Sequence, residues 1–299
     1  MSYEQAWLQY REVSDTGFRR YLTGVRADGD DAVIRAGIEE LKLAASKMYG
    51  IALPDGEGPG GSGIHLRTNA ASDLGSEGYH IRPEGDRFVI EGGGSSGILY
   101  GIFQLLRQLQ LGVPADEIDE RGAPANALRM LNHWDNMDGS IERGYSGRSF
   151  FFAGDRILVN ERTRDYARLA ASVGINGVVI NNVNVKQAAT WLITERYLDE
   201  LRRVQEIFAA YGIKLFLSLN FAAPMEMGEL ETADPLSEDV RAWWRVRLEE
   251  VFGKLPGFGG FLVKADSEGR HGPFTYGRTH AEGANMLAEI IEPYGGLIL

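Results

Sequence analysis

From Leu128 onward, short apolar segments of strand length alternate with amphipathic segments of helix length, and this alternation constrains the fold more than any other feature. Apolar runs such as 178–180 and 215–217 are typical of parallel strands that are buried on both faces. Helical segments end near Gly174 and Gly212, where a glycine cap is expected. The pattern therefore predicts a parallel α/β sheet over residues 128–299.

The ends of these strands favour a barrel over an open sheet. Polar or aromatic residues follow each strand, and in a barrel all strand ends meet at one mouth that carries the chemistry. An open sheet concentrates its chemistry at one switch point instead. The segment is shorter than the roughly 250 residues of a typical barrel, so we expect a truncated (β/α)8 TIM barrel. The strand-end residues are Asn132, His133, Trp134, Asp135, Asn136, Asn181, Asn182, Asn184, Ser218, Asn220, Lys264, Asp266 and Glu268.

Residues 1–127 mix helix and strand signals without a regular repeat, which predicts a small N-terminal α/β domain. Asp31 precedes an amphipathic segment that is expected to form a helix ending at Gly50. The glycine-rich turn 92–97 lacks the Gly-Lys-Ser/Thr ending of a phosphate loop, and we interpret it as a packing feature. Residues 113–127 are predicted to be an exposed linker.

The composition excludes several classes of protein. A net charge of −11 without a basic stripe opposes nucleic-acid binding. The absence of cysteine excludes disulfides, thiolate metal sites and cysteine nucleophiles. No apolar run approaches the ~18 residues of a membrane span, and the first residues lack the regions of a signal peptide. We therefore expect a cytoplasmic protein with neither nucleic acid nor a membrane as a partner.

The segment 264–269 concentrates candidate chemistry at the end of the fourth strand. If the strand continues, Lys264, Asp266 and Glu268 lie on one side of it. A lysine between apolar neighbours is costly to bury unless it meets an anion, which is either Asp266 or a ligand. Glu268 is a candidate general acid, because partial desolvation raises the pKa of a carboxyl group. The alternative is a solvated loop glutamate.

Other strand ends suggest a sugar-binding site. Trp134, flanked by His133, is either a stacking platform for a sugar ring or a core residue. Asn182 and its neighbours either bind hydroxyl groups or satisfy the backbone of a loop. The loop 270–283 is polar, but its two histidines have no third ligand nearby. We therefore expect neither a metal ion nor a cofactor.

Three passages carry a resemblance to a known family. Residues 128–151, 159–184 and 262–288 resemble the alpha-glucuronidases of glycoside hydrolase family 67. The resemblance implies an N-terminal α/β domain like that of hexosaminidases, then a (β/α)8 barrel and a helical C-terminal domain. It also implies metal-free hydrolysis, with inversion, of the α-1,2 link between glucuronic acid, or its 4-O-methyl ether, and xylose in short xylo-oligosaccharides.

The resemblance implies roles for individual residues. Glu268 in the Asp-Ser-Glu-Gly motif corresponds to the general acid, Lys264 to a cation that binds the uronate carboxylate, and Trp134 to a wall of the uronate pocket. Asp266, Asn182 and His133 are further candidates from their positions at strand ends.

The same resemblance implies that the second carboxylate-binding cation and the general base lie beyond Leu299. Inversion needs a base roughly 6.5–9.5 Å from the acid, and Glu268 cannot serve as both. We therefore expect residues 1–299 alone to be inactive, and the complete enzyme to be a homodimer.

Two alternatives stay open. A hexosaminidase-like glycosidase shares the N-terminal domain and an Asp-x-Glu pair, although a neutral amino sugar offers Lys264 no carboxylate. A noncatalytic carbohydrate-binding fragment would keep Trp134 and Lys264 without hydrolysis.

Overall fold

The structure is a computed structural model that describes residues 8–14, 16–264, 266 and 269–299. Its contacts divide the chain into two compact units. The N-terminal unit holds Met1–Arg129, Asp165–Ile175 and Ala210–Gly212, and the C-terminal unit holds Met130–Arg164, Asn176–Ala209 and Ile213–Leu299. The domain boundary predicted after Ala127 stays a prediction.

The N-terminal unit is built on a mixed five-stranded sheet with strand order β1-β2-β4-β3-β5. Strands β1, β2 and β4 pair in parallel, whereas β3 is antiparallel to both of its neighbours. The strands are β1 (Val25–Ala27), β2 (Gly63–Thr68), β3 (Tyr79–Glu84), β4 (Arg87–Gly92) and β5 (Glu120–Gly122), and the helices are α1 (Ala32–Tyr49) and α2 (Ser95–Gln110).

Helix α1 begins and ends where the sequence predicts. The Asp31 side chain accepts hydrogen bonds from the N–H groups of Val33 and Ile34, which satisfies two donors of the first turn. Gly50 ends the helix with φ 68°, a left-handed conformation that glycine adopts without strain. The apolar face of α1 enters a core that includes Ile34 and Leu41.

The glycine-rich turn before α2 is closed by the chain itself. A Cβ atom at Gly93 would lie 1.9 Å from the carbonyl oxygen of Gly75, and one at Gly97 would lie 2.2 Å from that of Gly78. The glycines therefore permit close backbone packing, which supports the packing interpretation.

The predicted linker 113–127 is more ordered than expected. It contains a 3-10 turn at Ala115–Glu117 and strand β5, which pairs with β3. The acidic, proline-containing sequence conceals this strand, because three residues are too few to show an alternation of polarity.

The C-terminal unit contains a five-stranded sheet in which all neighbours are parallel. Its strands follow chain order as β6-β9-β10-β11-β12, so the predicted parallel sheet is observed. Strands β7 and β8 form a separate hairpin. The strands are β6 (Met130–Asn132), β7 (Phe152–Ala153), β8 (Arg156–Ile157), β9 (Gly177–Val179), β10 (Lys214–Leu219), β11 (Gly260–Val263) and β12 (Leu297–Ile298).

Helices connect these strands. The longest is α6, and α7 begins with a capping box between Thr279 and Glu282. No helix within the described ranges is both long and apolar enough to cross a membrane. The helices are α3 (Glu161–Ser172), α4 (Glu195–Ala209), α5 (Ala223–Glu226), α6 (Glu238–Lys254) and α7 (His280–Ile291), and the remaining 3-10 turns are Gly17–Tyr21, Pro59–Gly61, Gln187–Ile193, Pro273–Tyr276 and Glu292–Tyr294.

Candidate active site

Lys264 lies at the carboxyl end of the parallel sheet, where the sequence predicts chemistry. Strand β11 ends at Val263, so Lys264 and Asp266 lie beyond the strand. Lys264 is half-buried, and its Nζ donates a hydrogen bond to Oδ1 of Asn184, in the loop that follows β9. The lysine is therefore oriented by a neutral amide from a neighbouring strand end.

Three asparagines extend this contact into a hydrogen-bonded relay, in which Asn184 takes part through its backbone. The Asn184 N–H donates to Asn182 Oδ1 at 2.9 Å, and Asn182 Nδ2 donates to Asn136 Oδ1 at 2.9 Å. Asn136 Nδ2 in turn donates to Ser140 Oγ at 2.9 Å. The relay therefore fixes the Asn184 backbone and the side chains of Asn182 and Asn136, which restricts the geometry around Lys264.

A cavity opens beside Lys264 at the ends of three strands. Its polar lining includes two cationic side chains, and one of these, Arg270, forms an ion pair with Glu226. Apolar side chains form the rest of the wall, so this small cavity combines donors for an anionic group with apolar surface. The lining residues are Val183, Asn184, Val185, Leu219, Asn220, Phe221, Lys264, Arg270, His271 and Gly272.

Asn220 is the most deeply buried polar side chain in this lining, with 8% of its surface exposed. Its Oδ1 accepts a hydrogen bond from the Ala222 N–H at 3.0 Å. Its Nδ2 is buried and has no hydrogen-bond partner in the described part of the chain. The sequence places Asn220 at a strand end, but no local signal shows that half of its amide is left without a partner.

Asp266 anchors the loop that follows β11. Its Oδ2 accepts from the Phe274 N–H at 3.1 Å and lies 3.0 Å from His280 Nε2. The His280 ring stacks on Phe274 with ring centroids 4.0 Å apart. These contacts give Asp266 a structural role in the loop, and its predicted contact with substrate stays a prediction.

The predicted general acid, Glu268, lies outside the described residues. Its assignment remains a prediction from the sequence.

Trp134, His133 and Asp135 follow β6 and have three different environments. Trp134 is 37% exposed and is therefore not a core residue, which leaves the stacking role open. Asp135 is 2% exposed and accepts from Ser149 Oγ at 2.5 Å and the Phe150 N–H at 2.7 Å. His133 Nδ1 lies 3.7 Å from Asp135 Oδ1. Asp135 thus connects the end of β6 to the segment at Ser149 and Phe150.

The same contacts keep Asp135 ionised. Burial raises the pKa of this carboxyl group, but hydrogen bonds from His133, Ser149 and the Phe150 N–H outweigh that effect. The net result is a pKa below the ordinary value for aspartate. Asp135 therefore acts as a fixed acceptor and not as a proton donor near neutral pH.

A second cavity adjoins the relay and shares Asn182 and Asn184 with it. Glu142 (φ 56°) and Asp155 (φ 60°) both line it in left-handed conformations, which are strained for residues other than glycine. The full lining is Asp135, Asn136, Met137, Asp138, Glu142, Arg143, Asp155, Asn182, Asn184, Lys186, Ala188 and Ala189.

Other residues that the sequence singles out are packed or paired within the structure. Trp244 is fully buried, as packing predicts, and Trp243 Nε1 donates to Glu229 at 2.8 Å. Arg278 pairs with Asp234 at 2.9 Å. Across the residues that the structure describes, no group of three or more histidine, aspartate or glutamate side chains could hold a metal ion.

Comparison with known proteins identifies two regions. Residues 108–299 match the glycosyl hydrolase family 67 middle domain, and residues 21–119 match domain 2 of glycosyl hydrolase family 20. The "Probable alpha-glucuronidase A" of Aspergillus terreus is 44% identical over 228 residues, covering 76% of this chain and 27% of that protein. The "Alpha-glucuronidase A" of Emericella nidulans is 41% identical over 238 residues, covering 78% and 28%.

Solved structures resemble the fold at low sequence identity. The family 20 β-N-acetylhexosaminidase of Streptomyces coelicolor A3(2) aligns with a TM-score of 0.60 at 16% identity, covering 92% of this chain and 61% of that chain. This likeness supports a hexosaminidase-like α/β architecture. The chain spans a little over a quarter of the length of the glucuronidases it matches. Since the middle-domain match covers well over half of the chain, the predicted family is confirmed, and this chain belongs to glycosyl hydrolase family 67.

Proposed function

We propose that this chain carries the uronate-binding part of an alpha-glucuronidase, an enzyme that hydrolyses glycosides of glucuronic acid. The observation that carries the proposal is the half-buried Lys264 in a cavity with neutral donors and apolar walls, within the family 67 match. A carboxylate distinguishes glucuronic acid from neutral sugars, and an ammonium group in a partly desolvated cavity is a strong partner for it. The names of the related proteins support the same substrate class.

The five parallel strands of the C-terminal unit are, in this proposal, the first five of a (β/α)8 barrel. The strands of this sheet lie side by side in the order in which they occur along the chain. This order supports the interpretation, because each strand of a (β/α)8 barrel pairs with the next parallel strand in the chain. The carboxyl ends of the strands then form the mouth in which the substrate binds.

The reaction assigned to the complete enzyme is inverting hydrolysis of the α-1,2 link to xylose in short xylo-oligosaccharides, with glucuronic acid or its 4-O-methyl ether as the released sugar. Glu268 donates a proton to the glycosidic oxygen as the bond to C1 breaks. A water molecule attacks C1 from the opposite face and gives its proton to a general base, which we assign to residues outside this sequence. Lys264 holds the carboxylate, and Trp134 forms a wall beside the ring.

We also propose a cytoplasmic location, because imported oligosaccharides are the substrates that such an enzyme would trim, and a homodimer for the complete protein. Cell fractionation and sedimentation of the complete protein test these two proposals.

Binding of free sugars tests the uronate site in this chain. Isothermal titration should give a clear preference for D-glucuronate over D-glucose. Lys264→Met should reduce glucuronate affinity about tenfold or more, because a charge-assisted contact is lost. The exposed Lys254 supplies the control, and Lys254→Met should bind as the parent does. Equal affinity of the parent for both sugars would contradict the proposal.

Kinetics of the complete enzyme test the general acid. Glu268→Gln should cost far more with xylose as the leaving group than with an activated phenol, since the phenol departs without protonation. Equal losses on both substrates would argue against the acid role. Residues 1–299 alone should release no glucuronic acid, and release at rates near those of the complete enzyme would contradict the placement of the base.

A further inference from the structure

The amide of Asn220 differs from the other buried amides at the same sheet edge. Asn181 Nδ2 donates to the Ser218 carbonyl at 3.3 Å, and Asn182 Nδ2 donates to Asn136. Asn220 is similarly buried, yet in the described part of the chain its Nδ2 meets no acceptor. A buried N–H donor without an acceptor destabilises the folded protein, so its retention needs a physical reason.

The orientation of this amide is fixed by its other end. Oδ1 accepts from the Ala222 N–H at 3.0 Å, an arrangement that closes the turn leading into α5. Rotating the amide by 180° would place Nδ2 against that N–H, donor against donor. The fold therefore fixes Nδ2 as the end of the amide that lacks a partner, and exchanging the oxygen and nitrogen positions would not remove the problem.

The position of Asn220 indicates what its donor could bind. Asn220 and Lys264 line the same cavity, and Lys264 is oriented there by Asn184. A ligand oxygen in this cavity would give the Asn220 N–H its acceptor. An anionic oxygen would offset the cost of burying this donor most fully, because charge-assisted hydrogen bonds are stronger than neutral ones. Both residues come from adjacent strand ends, β10 and β11.

We propose that Asn220 is a further substrate-binding residue, which donates a hydrogen bond from Nδ2 to the carboxylate of a sugar acid held by Lys264. This inference rests on the proposed uronate site. It makes selectivity for the acid depend on two donors, one charged and one neutral. The neutral donor adds direction, because a planar amide fixed at one end offers its N–H along one line, whereas an ammonium group can rotate.

Two substitutions separate donor loss from added charge. Asn220→Asp retains the oxygen that accepts from Ala222 but replaces the donor with a second carboxylate oxygen, and Asn220→Ala removes the donor without adding charge. The ligands are D-glucuronate and its neutral methyl ester, with affinities measured by isothermal titration on the 299-residue chain. Melting temperatures are measured without ligand.

Both variants should lose about tenfold or more in glucuronate affinity, while binding of the methyl ester changes much less. Asn220→Asp should melt close to the parent temperature, because the cap is kept and the added carboxylate shares the cavity lining with the Lys264 ammonium group. Asn160 provides the matched control, since its Oδ1 also accepts a backbone N–H, that of Arg162 at 2.9 Å, outside the cavity. Asn160→Asp should bind both ligands as the parent does.

The outcomes are distinguishable. If the parent prefers glucuronate and Lys264→Met abolishes the preference, while both Asn220 variants keep it, the role of Asn220 is wrong and the uronate site stands. Equal losses for acid and ester in both variants would indicate a structural or water-bound amide and overturn the inference. If the parent itself binds glucuronate no better than glucose, both proposals fail.

Discussion

Each unit buries a cation, and the partners of the two cations differ in kind. In the N-terminal unit, Arg168 is 7% exposed and forms two hydrogen bonds with Glu40, from Nε at 2.6 Å and from Nη2 at 2.8 Å. In the C-terminal unit, the half-buried Lys264 donates to the neutral amide of Asn184. Glu40 neutralises its arginine, and Asn184 accepts a hydrogen bond from the ammonium group through a neutral amide oxygen. The arginine pair joins two segments of the N-terminal unit, whereas the lysine contact joins two strand ends beside a cavity.

The loops of the two units differ in the same way. The glycine-rich turn of the N-terminal unit resembles a ligand loop in sequence, but the carbonyl oxygens of Gly75 and Gly78 already fill the space beside it. The strand-end loop of the C-terminal unit leaves the amide of Asn220 without an acceptor among described residues. The comparison shows that contacts from distant segments decide whether such a loop is packing or a site.

The largest expected effect comes from breaking the buried pair of the N-terminal unit. Glu40→Ala leaves Arg168 without its counter-charge and should lower the free energy of unfolding by about 3–5 kcal/mol. Urea denaturation monitored by circular dichroism measures this loss. Glu39, whose side chain is 72% exposed and pairs with Lys42, is the control, and Glu39→Ala should cost less than about 1 kcal/mol. Similar losses for both would show that the pair is not what stabilises this unit.

The closed glycine turn gives the next largest effect. At Gly93 a Cβ would overlap the Gly75 carbonyl, so Gly93→Ala should destabilise the chain by about 1–3 kcal/mol. At Gly253, in α6, a Cβ meets nothing within 4 Å, and Gly253→Ala should stabilise the chain by up to about 1 kcal/mol. The urea midpoints of the two variants should therefore move in opposite directions. A neutral Gly93→Ala would mean that the turn is open and available to a ligand.

The smallest effect is a pH-dependent one at Asp135. Its pKa is lowered in the folded state, so the ionised carboxylate stabilises the fold above the unfolded value of about 3.9 and this contribution disappears as the pH falls through the folded pKa. Asp135→Asn should cost about 1–2 kcal/mol at pH 7 and progressively less below pH 4. Thermal melts from pH 7 to pH 2 test this.

The exposed Asp199 supplies the comparison for that series, and Asp199→Asn should stay within about 0.5 kcal/mol of the parent at pH 7. If the stability difference between Asp135→Asn and the parent stays constant with pH, the lost stability comes from altered hydrogen-bond geometry and not from the missing charge.

Much of the fold is visible in the sequence because its signals are local. The helix cap at Asp31 and the left-handed Gly50 depend on residues within about one helical turn. The apolar strands β9 and β10 are likewise visible as short runs of adjacent apolar residues. Strand β5 is not visible, because its pairing with β3 depends on residues about 40 positions away and its own three residues carry no pattern.

The sequence predicts which types of residue lie at the candidate site, but it does not predict their hydrogen-bond partners. The residue types at the strand ends point to Lys264 and Asn182, and the structure links both of them to Asn184 by hydrogen bonds. They also suggest that Asp266 continues the strand beside Lys264, yet the strand ends at Val263 and Asp266 binds the following loop. Where the chain leaves a strand depends on the residues that the following loop packs against. The alternation of side chains along a strand carries no information about those distant contacts.

The sequence by itself determined the family and the parallel sheet of the C-terminal unit, and it predicts Lys264 as the residue that binds an acidic sugar. Only the tertiary structure decided that Asn184, 80 residues away, orients Lys264, and that Asn220 caps a turn with one end of its amide and leaves the other without an acceptor. The reason is physical: strand and helix periodicity reflects interactions between near neighbours along the chain. The direction of a hydrogen bond is set by whichever distant atoms packing brings within about 3 Å.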